Sequence, residues 1–130
     1  MSTPAISSRI PFADLLGVDI VSATKGQIEA RMLVRPDMCN PVAVLHGGAI
    51  MSFADTLGAV GAWMNLPEGA AGTTTLESKT NFIGGAKSGE TVIAVCTPIH
   101  IGRRTSIWQT RISTEAGKTV ALVTQTQMVL

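Results

Sequence analysis

The residues of this chain whose types and spacing could do chemistry are His46-Gly47-Gly48 and Asp55. The chain reaches a long apolar segment, residues 47–65, through Asn40-Pro41-Val42-Ala43-Val44-Leu45-His46-Gly47-Gly48. The first N–H groups of a helix have no partner inside it, and Ser, Thr, Asp or Asn usually caps them. Here two glycines bring bare N–H groups to the positive end of the helix dipole. Such a place suits a carbonyl oxygen that turns into an oxyanion. The same residues also fit a plain loop-to-helix turn whose glycines serve packing. By itself, a lone His beside apolar sequence reads as a satisfied structural residue. Asp55 is harder to assign to structure alone. It is the one ionised side chain in residues 47–65, and burying an unpaired carboxylate is expensive. It must reach water or a partner, or work as a base or nucleophile.

The spacing limits how these groups cooperate. Asp55 follows His46 by nine residues, about 13 Å along a helix and half a turn round it. It therefore does not easily act on a carbonyl held at its own helix N-terminus. A two-fold pair of antiparallel helices would bring it to the Gly47 end of a second copy, twice per dimer.

Other elements must position these groups. Residues 11–16 read as a short helix stopped by Gly17, and residues 18–23 as a first strand. Lys25-Gly26 turns the chain. Residues 27–35 nearly alternate, with Ile28, Ala30, Met32 and Val34 on one face, as a half-buried strand does; Pro36 ends it. Residues 37–45 read as an ordered loop. The segment 47–65 is apolar nearly all round, so it predicts a helix buried on most sides. Its glycines cost up to about 1 kcal/mol each in a helix interior, which close approach of a sheet would offset. Leu66-Pro67-Glu68-Gly69 ends it. Residues 73–83, 90–101, 104–114 and 118–130 are rich in Thr, Val and Ile and are punctuated by Gly84-Gly85, Ser88-Gly89 and Glu115-Ala116-Gly117. Short connections imply antiparallel pairing. The sum is an α+β layout of five to six antiparallel strands and one long helix. Strands of about ten residues exceed the usual five or six, as in a sheet curved around something.

Bulk properties fit one domain over residues 1–130. Hydrophobic residues make up 45% and charged ones 15%, which favours an oligomer with an apolar interface. A net charge of +1 supplies no field toward nucleic acid or an anionic membrane. Cys39 and Cys96 lack metal-ligand spacing and read as reduced thiols of a cytoplasmic protein. Residues 1–9 lack the apolar region of a signal peptide. No apolar run approaches the roughly 20 residues that span a bilayer.

In combination these features resemble the hotdog-fold thioesterases of the phenylacetate-degradation type. The resemblance rests on Asn40, His46-Gly47-Gly48 and an acid nine residues after the His. It continues through residues 73–82, Gly84-Gly85-Ala86-Lys87-Ser88-Gly89-Glu90, and Gly102-Arg103-Arg104 before Trp108. It covers the chain from about Phe12 onward. It implies a curved antiparallel sheet around one central helix, in dimers or dimers of dimers with active sites between subunits. It implies hydrolysis of an acyl-coenzyme A. Gly47 N–H and Asn40 would polarise the thioester carbonyl, with Gly48 beside them. Asp55 from the facing subunit would be general base or nucleophile, and His46 would position the thioester and its leaving thiolate. A hydroxyl on the strand after the helix would orient water; counting back from Gly84-Gly85-Ala86 gives Thr75, with Thr74 as the alternative. Coenzyme A needs cations near its phosphates, and Lys79, Lys87, Arg103 and Arg104 are the candidates, the paired arginines above all. Met51, Phe53, Leu57 and Trp63 could line the acyl site, or be plain core. No metal or redox cofactor is implied.

Two positions depart from the family pattern. Relatives often carry Gly where Ala43 stands, so the loop into the helix is expected to differ slightly. Related aromatic-acyl thioesterases often carry Glu at the position of Asp55, so Asp favours the phenylacetate-type branch. Two other functions compete: a hotdog hydratase or dehydratase acting on acyl thioesters, and a non-catalytic acyl-CoA binding module. The Asn40 and His-Gly-Gly pattern argues against the first, and Asp55 against the second.

Overall fold

The structure, a computed structural model, describes residues 10–130. Residues 1–9, and with them the expectation of no signal peptide, lie outside the described residues. Helix α1 (Pro11–Leu16) starts with a proline in its first turn and stops at Gly17, whose φ of 76° is left-handed, a conformation glycine adopts without Cβ strain. Arg35 secures this stop: its Nη1 and Nη2 donate to the carbonyls of Leu16 and Leu15, both at 3.1 Å. The first two strands, β1 (Asp19–Ala23) and β2 (Ile28–Leu33), form a hairpin across Lys25-Gly26. The loop beyond Pro36 contains one 3-10 turn, Pro36–Met38, and is pinned by isolated bridges from Cys39 to Leu45 and from Val44 to Lys87.

Helix α2 (Gly47–Met64) is followed by β3 (Thr73–Phe82), β4 (Thr91–Ile101), β5 (Thr105–Thr114) and β6 (Thr119–Val129). All six strands form one antiparallel sheet in the order β1-β2-β4-β5-β6-β3. Strands β4, β5 and β6 follow one another as hairpins. The passage through α2 instead carries the chain from β2 to the far edge of the sheet, where β3 pairs only with β6. The helix touches β2, β3, β4, β5 and β6, so the sheet wraps it. This is the hotdog arrangement that the resemblance implied, with six strands where five to six were expected. No helix among the described residues is long and apolar enough to cross a membrane.

The core lies between the concave face of the sheet and α2. Ile28, Ala30 and Met32 of β2, Val92, Ala94 and Cys96 of β4, and Trp108 and Ile112 of β5 meet Phe53, Ala54 and Leu57 of the helix. Two helix glycines explain the close approach. A Cβ on Gly61 would stand 2.7 Å from the Trp108 ring, and one on Gly58 would stand 2.2 Å from the Gln125 side-chain amide. Each glycine costs the helix about 1 kcal/mol. Truncating a buried aromatic typically costs about 3–5 kcal/mol, so seating Trp108 outweighs the loss at Gly61.

Strand β3 carries a bulge at Leu76, between the Thr75–Gln127 and Glu77–Thr126 pairs. Period-two alternation from Thr75 would turn Glu77 and Lys79 toward the helix. The extra residue shifts the phase. Ser78 and Thr80, opposite the inward Gln125 and Val123, take the inner face, and Lys79 faces out opposite Thr124.

Both cysteines are free thiols. Burial pushes the Cys96 thiol up from 9.0 to about 11, against a lowering hydrogen bond with Thr110. The folded thiol therefore stays protonated where the unfolded one ionises. Its contribution to stability is whole below pH 9.0 and is lost as pH rises toward about 11. In a Cys39→Ser variant, a thiolate-selective reagent at pH 8 is expected to leave Cys96 unmodified until denaturant unfolds the chain.

Candidate active site

The helix N-terminus is built by its own sequence. His46 has extended backbone (φ −64°, ψ 140°) and is the N-cap. Its Nδ1 accepts from Gly48 N–H at 2.8 Å. The neutral ring then carries its proton on Nε2. Of the two glycine N–H groups expected to be bare, Gly48's is thus engaged by His46. Gly47's has no partner among the described residues. The Phe82 ring packs on Gly47, 3.0 Å from where a Cβ would stand. A side chain there would press on the ring.

Asn40 organises the loop that delivers His46. Its Oδ1 accepts from Val42 N–H at 3.0 Å and Val44 N–H at 3.1 Å, an Asx turn. With Oδ1 committed to backbone, Nδ2 is the part of the amide left to donate. Ala43 sits in this turn at a φ of 62°, the left-handed region that costs a residue with Cβ about 1–2 kcal/mol. A glycine there would adopt this φ without the strain. Ala43→Gly is expected to raise unfolding stability by about 0.5–1 kcal/mol in urea titrations, part of the relief being lost to unfolded-chain entropy.

Asp55 stands on a different part of the helix. Half of α2 is buried; besides residues of its two end turns, Met51, Ser52, Asp55, Ala59 and Trp63 are exposed or half-buried. Their spacing of three and four residues makes one stripe along the helix that its own sheet leaves uncovered. Asp55 is held there by two donors to one oxygen. Thr75 Oγ1 donates to Asp55 Oδ1 at 2.7 Å, and Gln125 Nε2 donates to the same atom at 3.2 Å. Gln127 Nε2 in turn donates to Thr75 Oγ1 at 2.6 Å. Thr75 points inward opposite the buried Gln127, whereas Thr74 is exposed opposite Met128. The hydroxyl that reaches Asp55 is therefore Thr75's.

Within one chain the Gly47 and Asp55 groups are separate. Asp55 meets β3 at Thr75, near its start, while Gly47 lies under Phe82, at its end. The other expected residues distribute between these ends. Arg103 and Arg104 are exposed in the β4–β5 turn, where Arg104 O accepts from Val129 N–H at 2.7 Å; Val129 pairs with Thr73, near Thr75. Lys87 is exposed beside the Asn40 loop through its bridge to Val44. Lys79 is exposed on the outer face of mid-β3. Of the four apolar residues weighed for the acyl site, Phe53 and Leu57 are fully buried core, while Met51 and Trp63 are exposed on the helix stripe.

Gln125 and Gln127 were not anticipated. The signal was present: both fall on the core-facing phase of β6 after Val123, where apolar residues are expected. Each leaves a buried Oε1 without a partner among the described residues, at a cost of roughly 1–3 kcal/mol apiece.

Residues 43–121 match the thioesterase superfamily. The chain belongs to that superfamily. It is a hotdog-fold thioester hydrolase, and the likeness to the phenylacetate-degradation type holds at the level of family and fold. The structure of a mutant of thioesterase PA1618 from Pseudomonas aeruginosa superposes with a TM-score of 0.92 at 28% identity, covering 100% of this chain and 94% of that one. The Escherichia coli PaaI protein of the phenylacetic acid degradation operon superposes with a TM-score of 0.89 at 26% identity, covering 98% and 89%. The 1,4-dihydroxy-2-naphthoyl-CoA hydrolase of Escherichia coli strain K12 is 35% identical over 91 residues, 70% of this chain and 65% of that protein.

Proposed function

We propose that the chain hydrolyses an acyl-coenzyme A to the free acid and coenzyme A, at two sites built across a two-fold dimer. Asp55 carries this reading. It is a carboxylate on the uncovered stripe of an otherwise apolar helix, and the fold supplies hydrogen-bond donors to hold it. An aryl-CoA thioester is what the Escherichia coli hydrolase named above acts on, which supports coenzyme A as the carrier.

Three features favour the dimer. Strand β3 is a ten-residue edge whose outer side is unpaired, with Leu76, Phe82 and neighbouring Ile83 each more than half exposed. Such an edge is a template for pairing. The opposite edge, β1, is half as long and bulged. The open helix stripe adds Met51 and Trp63 to the same apolar surface. Antiparallel pairing of β3 with its copy brings the Thr75 end of one chain to the Phe82 end of the other. Asp55 then faces Gly47 of the second copy, which the roughly 12 Å of helix between them prevents within one chain. Pairs of such dimers follow from the family resemblance.

In each site the thioester carbonyl accepts from Gly47 N–H and Asn40 Nδ2. Asp55 of the other copy takes a proton from water, whose oxygen attacks the carbonyl carbon. The oxyanion collapses, the C–S bond breaks, and the coenzyme A thiolate leaves beside His46 Nε2–H. Alternatively Asp55 attacks the carbon itself, giving an anhydride that water opens. In single turnover in ¹⁸O-water, label in Asp55 marks the second route, with water opening the anhydride at the Asp55 carbonyl; the first route puts the label in the product acid only. Arg103 and Arg104, near the Asp55 end, and Lys87, near the Gly47 end, converge on the shared site and suit the phosphates. Lys79 and Thr74, on the outer face of β3, lie at its margin.

Asp55→Asn should lower thiol release from acyl-CoAs at least about 100-fold with the oligomer intact by light scattering. Gly47→Pro removes the N–H at a helix position whose backbone tolerates proline and after an extended His46, and its ring also presses on Phe82. It should cost about 100- to 1,000-fold. Equal mixing of the two inactive variants through unfolding and refolding tests the shared site. Half the dimers then carry one intact site of two, so about a quarter of wild-type activity should return. No recovery would mean that each chain works alone.

A further inference from the structure

We propose that Gln125 and Gln127 are positioning residues for Asp55, forming a chain of donors that saturates Oδ1 and leaves Oδ2 as the oxygen that meets water or the thioester. The inference rests on the reading of Asp55 as base or nucleophile. The chain of contacts runs from Gln127 Nε2 to Thr75 Oγ1 (2.6 Å), from Thr75 Oγ1 to Asp55 Oδ1 (2.7 Å), and from Gln125 Nε2 to the same Oδ1 (3.2 Å).

The direction of each bond follows from what the groups can offer. An ionised carboxylate only accepts. Gln125 must therefore present its NH₂, since the flipped amide would set two acceptors against each other. Thr75 has one hydroxyl proton. Once that proton lies on Asp55, its oxygen can only accept, so Gln127 must donate as well. Three side chains from two strands thus point protons, directly or in series, at one oxygen.

A purely structural role does not account for the two glutamines. Both are 1% exposed, and both bury an Oε1 that finds no partner among the described residues. An apolar side chain of similar size would fill either position without stranding a polar atom. The fold also makes room for them specifically. A Cβ on Gly58 would fall 2.2 Å from Cδ and 2.3 Å from Nε2 of Gln125, so the helix carries glycine where this amide sits. The bulge at Leu76 lets Thr75 and Ser78, opposite Gln127 and Gln125, share the inner face. These features converge on one carboxylate oxygen.

The test uses the full-length oligomer and thiol release from a panel of acyl-CoAs. Gln125→Leu and Gln127→Leu keep volume and remove the donor. Each is expected to lower kcat about tenfold or more, with KM within about twofold and the melting temperature unchanged or raised. Gln125→Glu, which turns an acceptor toward Oδ1, should lower kcat further. In an Asp55→Asn background, Gln125→Leu should add no further loss, because residues acting as one unit are not additive. Gly58→Ala, which crowds the amide without touching it chemically, should reproduce the Gln125→Leu loss and stands in if the leucine variants fold poorly. The proposal falls if folded Gln125→Leu and Gln127→Leu proteins keep kcat within twofold while Asp55→Asn is inactive, which would leave the Asp55 reading intact. It also falls if kcat declines only in step with the melting temperature. Full activity in Asp55→Asn would overturn both readings.

Discussion

Two glycines of α2 face side chains that occupy the space of their absent Cβ atoms: Gly61 against Trp108 and Gly58 against Gln125. The depth to which the helix sinks into the sheet depends on these contacts. At Gly61 the return is apolar, a whole indole removed from water with its Nε1 donating to Ser106 Oγ at 2.8 Å. At Gly58 the return is polar, an amide delivered to Asp55 from the floor of the sheet. The same device therefore sets the core at one turn of the helix and a carboxylate at the next. Loss of helix propensity is tolerated because packing, rather than propensity, holds a helix that is enclosed on most sides.

Helix and edge strand hold the two candidate groups at opposite ends of one chain. At one end, cap geometry selects a single free N–H. His46 Nδ1 accepts from Gly48 N–H, so among the described residues the dipole's positive end is presented at Gly47. At the other, side chains from β3 and β6 fix the carboxylate. Neither end includes the other's group, and the uncovered helix stripe together with the unpaired β3 edge lies between them. Enclosure by the sheet on one side and openness on the other are two aspects of the same wrapping, since the strands that touch the helix, β2 to β6, leave its Met51–Asp55–Trp63 stripe uncovered.

Much of the architecture was legible in the residues. Pro11, Gly17 and Pro36 mark element ends that the structure places within a residue or two, because proline and glycine act locally on φ. The long Thr/Val/Ile runs became β3 to β6 with bounds shifted by a residue or so. The isolated charge at Asp55 marked the helix stripe, because desolvation makes any such charge informative. Other features were not legible. The bulge at Leu76 arises from register against β6, a non-local property, so Thr74 and Thr75 could not be separated by alternation alone. His46 as a cap depends on a rotamer. Gln125 and Gln127 looked like ordinary strand polars until pairing with β3 turned them inward.

That bulge has a consequence for how the strand can vary over time. It works as a phase marker: residues before and after it are read on opposite parities, and only together do Thr75, Ser78 and Thr80 share the concave side. Single replacements along β3 leave the reading frame intact. Removing or adding one residue would turn Glu77 and Lys79 toward the helix and Ser78 outward. Such a strand is free to drift by substitution and closed to drift in length.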